Sequence, residues 1–136
     1  MPADPYRSPI PLQLWDAVRD EFGLPALGQV WGRLEAASTD PEPALRQLVR
    51  VFMDVGTFCP GFQFQPDLSL NRVVVGLFQR AVELRVPHNY FTLWMMTPCH
   101  ALEGARPVDR CKEEHGPALL AALESTLARA VAVSGP

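Results

Sequence analysis

Two cysteine–histidine pairs stand close together in the chain, Cys99 with His100 and Cys111 with His115, and these residue types can bind a metal or make a nucleophile. Thiolates and imidazoles are ligands that zinc prefers. Residues four apart share one helix face, so Cys111 and His115 could present their donors side by side. The direct adjacency of Cys99 and His100 is unlike the usual ligand gap of about two to four residues. A catalytic thiol on Cys99, with His88, His100 or His115 as base, would need that base within hydrogen-bond reach and a third group to orient it. Nothing in the chain marks such a set, and it has no phosphate-cradling glycine loop, no His-Glu-x-x-His and no Gly-x-Ser-x-Gly. The expectation is no metal, no cofactor and no enzyme activity. The two imidazoles would be solvated and the thiols buried or half-buried on either side of a corner.

That corner lies in the stretch LWMMTPCHALEGARPVD, residues 93–109. Pro98 disfavours helical geometry at Thr97, which ends the helix carrying Trp94. Gly104 can take the left-handed conformation that reverses the chain. Pro107 suits the first turn of a following helix, where a missing N–H costs nothing. Asp109, in that turn, favours the positive end of the helix dipole. Trp94, flanked by Leu93, Met95 and Met96, is expected in the core and not at a contact surface.

The elements around the corner follow from hydrophobic spacing. Leu14, Trp15, Val18 and Phe22 recur at helical intervals over about residues 11–22, with Gly23 placed as a C-terminal cap. Leu24, Leu27, Val30, Trp31 and Leu34 form a second stripe. Ser38-Thr39-Asp40-Pro41 closes it and supplies a cap and a first-turn proline for a third helix. That helix is expected from about Pro41 to Val55, burying Leu45, Leu48, Val49, Phe52 and Met53. Phe58, Phe62 and Phe64 then alternate with small or polar residues around Pro60 and Pro66, as a strand or short hairpin would. A fourth helix, capped by Ser69 or Asn71, carries Val74, Leu77, Phe78, Ala81 and Val82 to Leu84, and a fifth runs from Pro87 to Met96. The last keeps Leu119, Leu120, Leu123, Leu127, Ala130 and Val131 on one face from Pro117 to about Val133, and is expected to pack on the helix of Trp94. The fold class expected is all-α: a small helical domain with one short extended or hairpin segment near residues 57–66.

With 136 residues, 48% of them hydrophobic, the chain fits one domain with a real core. Twelve basic against fifteen acidic residues give a formal charge of −3, the wrong sign for holding phosphates by counterion release. The arginines that could form a local basic patch, Arg46 with Arg50 and Arg72 with Arg80 and Arg85, are sparse and read as solvated helix faces. Three cysteines without close pairing, and no apolar core in residues 1–9, point to a soluble protein of a reducing cytoplasm. Apolar runs such as Val73-Val74-Val75 fall far short of the ~18 residues of a membrane span.

The spacing of Trp94, Thr97, Pro98, Leu102, Gly104, Arg106, Pro107 and Asp109 resembles the signature of the Xre/MbcA/ParS antitoxin toxin-binding domain family. Phe58 to Phe64, FCPGFQF, is similar to the aromatic segment preceding the corner in that family, and Pro117 to Glu124, PALLAALE, to its closing helix. Together the resemblance covers about residues 57–133. The chain has Cys99-His100, Glu103-Gly104 and Arg110-Cys111 where the family usually places Asn-Pro, Gly-Gly and Leu-Leu. Residues 1–56 do not resemble the DNA-binding helix-turn-helix that precedes the domain in many members.

The resemblance implies a division into residues 1–56, an N-terminal helical region of unassigned role, and residues 57–136, an antitoxin-like toxin-binding region, the two forming one compact unit. It implies a bacterial antitoxin that binds and neutralises a cognate toxin with a RES domain, an NAD-consuming enzyme. Thr97, Pro98, Leu102, Gly104, Arg106 and Asp109 would face the partner, and Trp94 and Pro107 would shape the corner. Arg106 would either anchor the partner or pair internally with a carboxylate such as Asp109. The alternative is a DNA-binding transcriptional regulator of the same broad family. A homo-oligomer is compatible with either reading, and a nucleic-acid role is left open.

Overall fold

Phe91, Thr92, Leu93, Trp94, Met95 and Met96 are all buried, which makes helix α5 (His88–Met96) the hub of the computed structural model. The structure describes residues 10–37, 40, 42–67 and 69–128. The Pro-rich lead-in, Ser38, Thr39 and Pro41 of the expected cap, and Ala130, Val131 and Val133 of the expected last helix lie outside these residues. A helix apolar all round must be covered on every side. Around α5 pack α1 (Gln13–Glu21), the strand β1 (Val51–Met53), α4 (Arg72–Glu83) and a 3-10 turn at Pro107–Arg110. The fold is mostly α with one small antiparallel hairpin, the class expected. Among the described residues, no helix is long and apolar enough to cross a membrane.

Most helices fall where their periodicity places them. Leu14, Trp15 and Val18 of α1 enter the main core, and Asn71 caps α4 by accepting from the N–H groups of Val73 at 2.9 Å and Val74 at 3.3 Å. The other face of the Asn71 carboxamide donates to the Cys111 carbonyl at 3.1 Å, tying the loop beyond the corner to α4. Helix α2 (Leu27–Ala37) covers a smaller cluster of Val30, Leu34, Leu48 and Cys59. Trp31, expected on its buried stripe, is instead 46% exposed.

The expected third helix is the main correction. Helix α3 spans only Glu42–Gln47, and the rest of its expected length becomes β1 and the turn into β2 (Gly56–Phe58). Val51 faces Phe58 and Met53 faces Gly56, with Asp54 and Val55 at the turn. The hairpin therefore sits at residues 51–58 and not at 57–66. Val49 and Val51 are buried while Phe52 is exposed, a period of two that β-branched residues favour over a helical one. Gln63 stabilises this choice from inside the core. Its carboxamide oxygen accepts from the Val49 N–H at 2.7 Å, and its NH2 donates to the carbonyls of Val49 and Pro60, both at 2.9 Å.

Within 57–66, the segment expected to be extended, lies a 3-10 turn at Gly61–Gln63, followed by a bridge from Phe64 to Leu70. The Gly61 N–H donates to the Gly23 carbonyl at 2.9 Å, and a β-carbon at Gly61 would collide with the Phe22 carbonyl. The proposed divide between residues 56 and 57 falls inside β2, and one core cluster joins residues of α1 with those of α4, α5 and α6 (Gly116–Leu123).

The last expected helix is helical as far as the described residues reach, to Ala128, and changes its winding within that length. After α6 the chain continues as a π-helical turn, Glu124–Ala128. Leu119, Leu123 and Leu127 are buried as expected, but Leu120 is 38% exposed. These leucines join the Trp94 cluster, yet α6 packs chiefly on α4, where Arg80 reaches Glu124 at 3.0 Å.

Candidate functional site

The corner begins where Thr97 takes an extended ψ of 131° ahead of Pro98 and its hydroxyl donates back to the Leu93 carbonyl at 2.6 Å. The chain then makes a 3-10 turn at His100–Leu102 and reverses through two left-handed residues, Glu103 at φ 58° and Gly104 at φ 85°. Gly104 takes the left-handed conformation expected of it, and Glu103 shares the reversal. The Cys99 N–H donates to the Ala105 carbonyl, and the Gly104 N–H to the Cys99 carbonyl, both at 2.9 Å, so the loop is closed on itself. Pro107 opens the next turn, a 3-10 segment over Pro107–Arg110 in place of the expected helix, and a further 3-10 turn, Glu113–His115, leads into α6.

Arg106 is the most engaged side chain of the corner. Its Nε donates to Asp109 Oδ2 at 2.9 Å and its Nη2 to Asp109 Oδ1 at 3.0 Å, a forked pair across one turn. Its Nη1 reaches the Glu21 carboxylate at 2.9 and 3.2 Å, at the end of α1. These bonds raise the Arg106 pKa and, chiefly through the Arg106 hydrogen bond, hold the Asp109 carboxyl below its ordinary value. Arg106 thus clamps the corner to α1. Of the other residues singled out, Trp94 and Pro107 are buried, Leu102 packs on the core, Thr97 is half-buried, and Pro98, Gly104 and Asp109 are exposed.

The cysteines and histidines of this region are not gathered. Cys99 Sγ lies 3.9 Å from Thr126 Oγ1, and Cys111 Sγ donates to the Pro107 carbonyl at 3.3 Å. His100 is exposed, and His115 lies 3.7 Å from Glu114. Among the described residues, no group of three or more His, Cys, Asp and Glu side chains is placed to hold a metal ion. Burial pushes the Cys111 thiol up to about 12 and the Cys59 thiol up to about 11, which keeps both protonated and poorly nucleophilic at neutral pH. Two arginines of the sparse basic patches face carboxylates: Arg46 pairs with Glu42 at 3.2 Å, and Arg80 with Glu124 at 3.0 Å and Glu83 at 3.8 Å.

A broad concavity lies at the opposite end of α5. A groove of about 660 Å³ runs between the hairpin tip, the start of α1 and the first turn of α5. Leu12 is 76% exposed, Phe52 52% and Val55 80%, and all three line it, as does the inner wall residue Trp15. On one wall the His88 ring lies against Phe52, centroids 5.5 Å apart, and against Phe78 at 4.9 Å. Burial, and then the charge of Arg50, holds the His88 pKa below its ordinary value, so the ring is neutral at neutral pH. Among the described residues that line the groove, Asp54 is the one carboxylate and there is no arginine or lysine. A smaller hollow of about 260 Å³ beside the corner is walled by Leu102, Glu103, Arg110 and His115.

Sequence reasoning did not find this groove. Helical spacing places Phe52 in a buried stripe and Val55 at a helix end, whereas both stand exposed at the hairpin. A two-residue Asp54-Val55 turn ahead of Gly56 was the available signal, since a turn places its central side chains in solvent. No family model, curated protein or solved structure matches the chain.

Proposed function

We propose that the chain is a binding protein of antitoxin type, which neutralises a partner protein by covering part of its surface. The observation that carries the binding reading is the gathering of Leu12, Phe52 and Val55, all solvent-exposed, about one groove. Contiguous exposed apolar surface on a small domain marks an interaction site, whereas scattered apolar residues do not. The partner class, a RES-type NAD-consuming toxin, follows from the resemblance of residues 93–109 alone. In that reading the corner, stiffened by Arg106, Asp109 and Glu21, is a rigid platform and not a set of free polar anchors.

Co-expression with a RES-type toxin from the same genome tests this, scored by growth, by cellular NAD and by co-purification. Rescue of growth with retained NAD and a stable complex is the expected result. Failure of the wild-type chain to rescue or to co-purify sinks the toxin reading and puts the DNA-binding regulator first.

A further inference from the structure

We infer that the groove between the hairpin tip and the first turn of α5 is a docking site for an amphipathic helix of a partner protein, one with an apolar stripe and a basic residue beside it. This rests on the reading of the chain as a binding protein and goes beyond it by naming the surface and the chemistry of what it takes.

Three observations select this occupant. The floor and rim are apolar through Trp15, Leu12, Phe52 and Val55, and Leu12 and Val55 are more than three-quarters exposed, at 76% and 80%. Burying such side chains is the favourable term in docking, at about 25 cal/mol per Å². Among the described residues that line the groove, Asp54 alone is charged at neutral pH; Arg50, whose charge acts on His88, is not one of them. Asp54 makes no ion pair or hydrogen bond among the described residues, and the neighbouring His88 is neutral at neutral pH. A Lys or Arg of the partner complements Asp54, whereas an acidic residue there is repelled.

The third observation decides between a helix and a strand. β1 pairs with β2 on one side, and on its other side the N–H and carbonyl of Phe52 are both taken by the Asn89 carboxamide, at 2.9 and 2.8 Å. An incoming strand would find no free backbone partner at Phe52 and would leave its own amides unpaired along that edge. A helix satisfies its backbone internally, so it loses nothing there and docks by side chains alone, at positions i, i+3, i+4 and i+7.

The test uses the full chain, 15N-labelled, titrated with a 14-residue acetylated and amidated peptide of Leu, Ala and Lys whose leucines recur at i, i+3, i+4 and i+7. Two further probes are its analogue with Glu in place of every Lys and an analogue interrupted by a central Pro. The helical basic peptide should shift the amide resonances of Phe52, Asp54, Val55 and Asn89. Asp54→Asn should weaken it about two- to fivefold, the size of one exposed charge pair. Val55→Ser, at a solvent-exposed turn position that tolerates the change and leaves the charge unaltered, should weaken it about threefold or more. The Pro-interrupted and acidic analogues should bind worse than the parent.

Equal binding by the Pro-interrupted peptide, or indifference to Val55→Ser, overturns the proposal, as does silence of these resonances at millimolar peptide. Shifts of the same resonances on raising the concentration of the chain alone would assign the groove to a second copy and overturn it too. Failure to rescue cells from a RES-type toxin would leave these peptide results untouched, so the two readings fail separately.

Discussion

The Asn89 side chain holds the backbone of Phe52 at both ends: its oxygen accepts from the Phe52 N–H at 2.9 Å and its NH2 donates to the Phe52 carbonyl at 2.8 Å. A three-residue strand with an open edge is a template for unwanted pairing, and a carboxamide is a single-residue substitute for the missing neighbour. The first turn of α5 thereby fixes the hairpin that forms one wall of the groove.

Asn89→Ala should therefore cost about 1–2 kcal/mol, the net worth of two partly exposed hydrogen bonds. Urea melts would read the loss, and amide exchange at Phe52 should accelerate relative to Val51. Unchanged exchange at Phe52 would mean that the Asn89 contact does not protect the edge.

Gln63 plays the matching role inside the core, where it is 1% exposed and spends its carboxamide on Val49 and Pro60. Gln63→Leu fills similar space but leaves the Val49 N–H and two carbonyls buried without partners. A loss of about 2–4 kcal/mol is expected, more than for Asn89→Ala, because water cannot replace the lost bonds. A loss below about 1 kcal/mol in denaturant melts would show that the site is wetter than its burial implies.

These two amides explain why the region between Leu48 and Phe64 was misread from sequence, while α1, α4 and α5 were legible. Periodicity of apolar residues reports which face of an element is buried, and Leu14, Trp15 and Val18 or Val74, Leu77 and Phe78 carry that signal within their own helices. For Leu45 to Met53 the helical and strand patterns were both available. The choice was made by Gln63, 14 residues away from Val49, and by Asn89, 37 residues away from Phe52. Side chains that bond remote backbone have no local signature. The corner was legible for the opposite reason: Pro98, Gly104 and Pro107 each act on the residue beside them. The bond from Arg106 to Asp109 spans one turn and was foreseen as an alternative to partner anchoring, whereas its second partner, Glu21, is 85 residues away and was not.

Leu123 is fully buried beside Leu119 and Leu127 at the α4–α6 interface. Leu123→Ala should lose about 2–5 kcal/mol, through the transfer term and the cavity left behind. Denaturant melts giving less than about 1 kcal/mol would remove this face from the core.

Acid sensitivity should appear in two windows with one sign. Burial, then Arg50, holds the His88 pKa below 6.5, so the unfolded chain takes up a proton where the folded one does not. Its contribution to stability is complete above about pH 6.5 and is lost as the pH falls below that. The hydrogen bond from Arg106 likewise holds the Asp109 carboxyl below 3.8, and that contribution fades only as the pH falls through 3.8 and lower. Stability measured by urea melts should decline between about pH 7 and about pH 5 in the wild type, and decline less in His88→Phe. An identical slope in the variant would assign the upper window to another group.

Arg106 offers the sharpest division between a structural and a recognition role. Its guanidinium is 27% exposed and already meets two carboxylates, Asp109 by a fork and Glu21 through Nη1. Such a forked pair is worth more than an ordinary surface ion pair because its geometry is fixed, and joining Glu21 to the corner adds a second anchor. Arg106→Ala should lower stability by about 1–2 kcal/mol and loosen the end of α1 as well as the corner. Arg106→Lys should recover only part of this, since an ammonium cannot reproduce the fork. In a double-mutant cycle, Arg106→Ala and Asp109→Ala should cost less together than the sum of their separate losses, with a coupling of about 0.5 kcal/mol or more. A partner complex should then weaken only as far as the fold does. If Arg106→Ala left the melting temperature unchanged and cost a partner complex about 2 kcal/mol, the clamp would be subordinate to recognition, and Arg106 would return as an anchor on the corner.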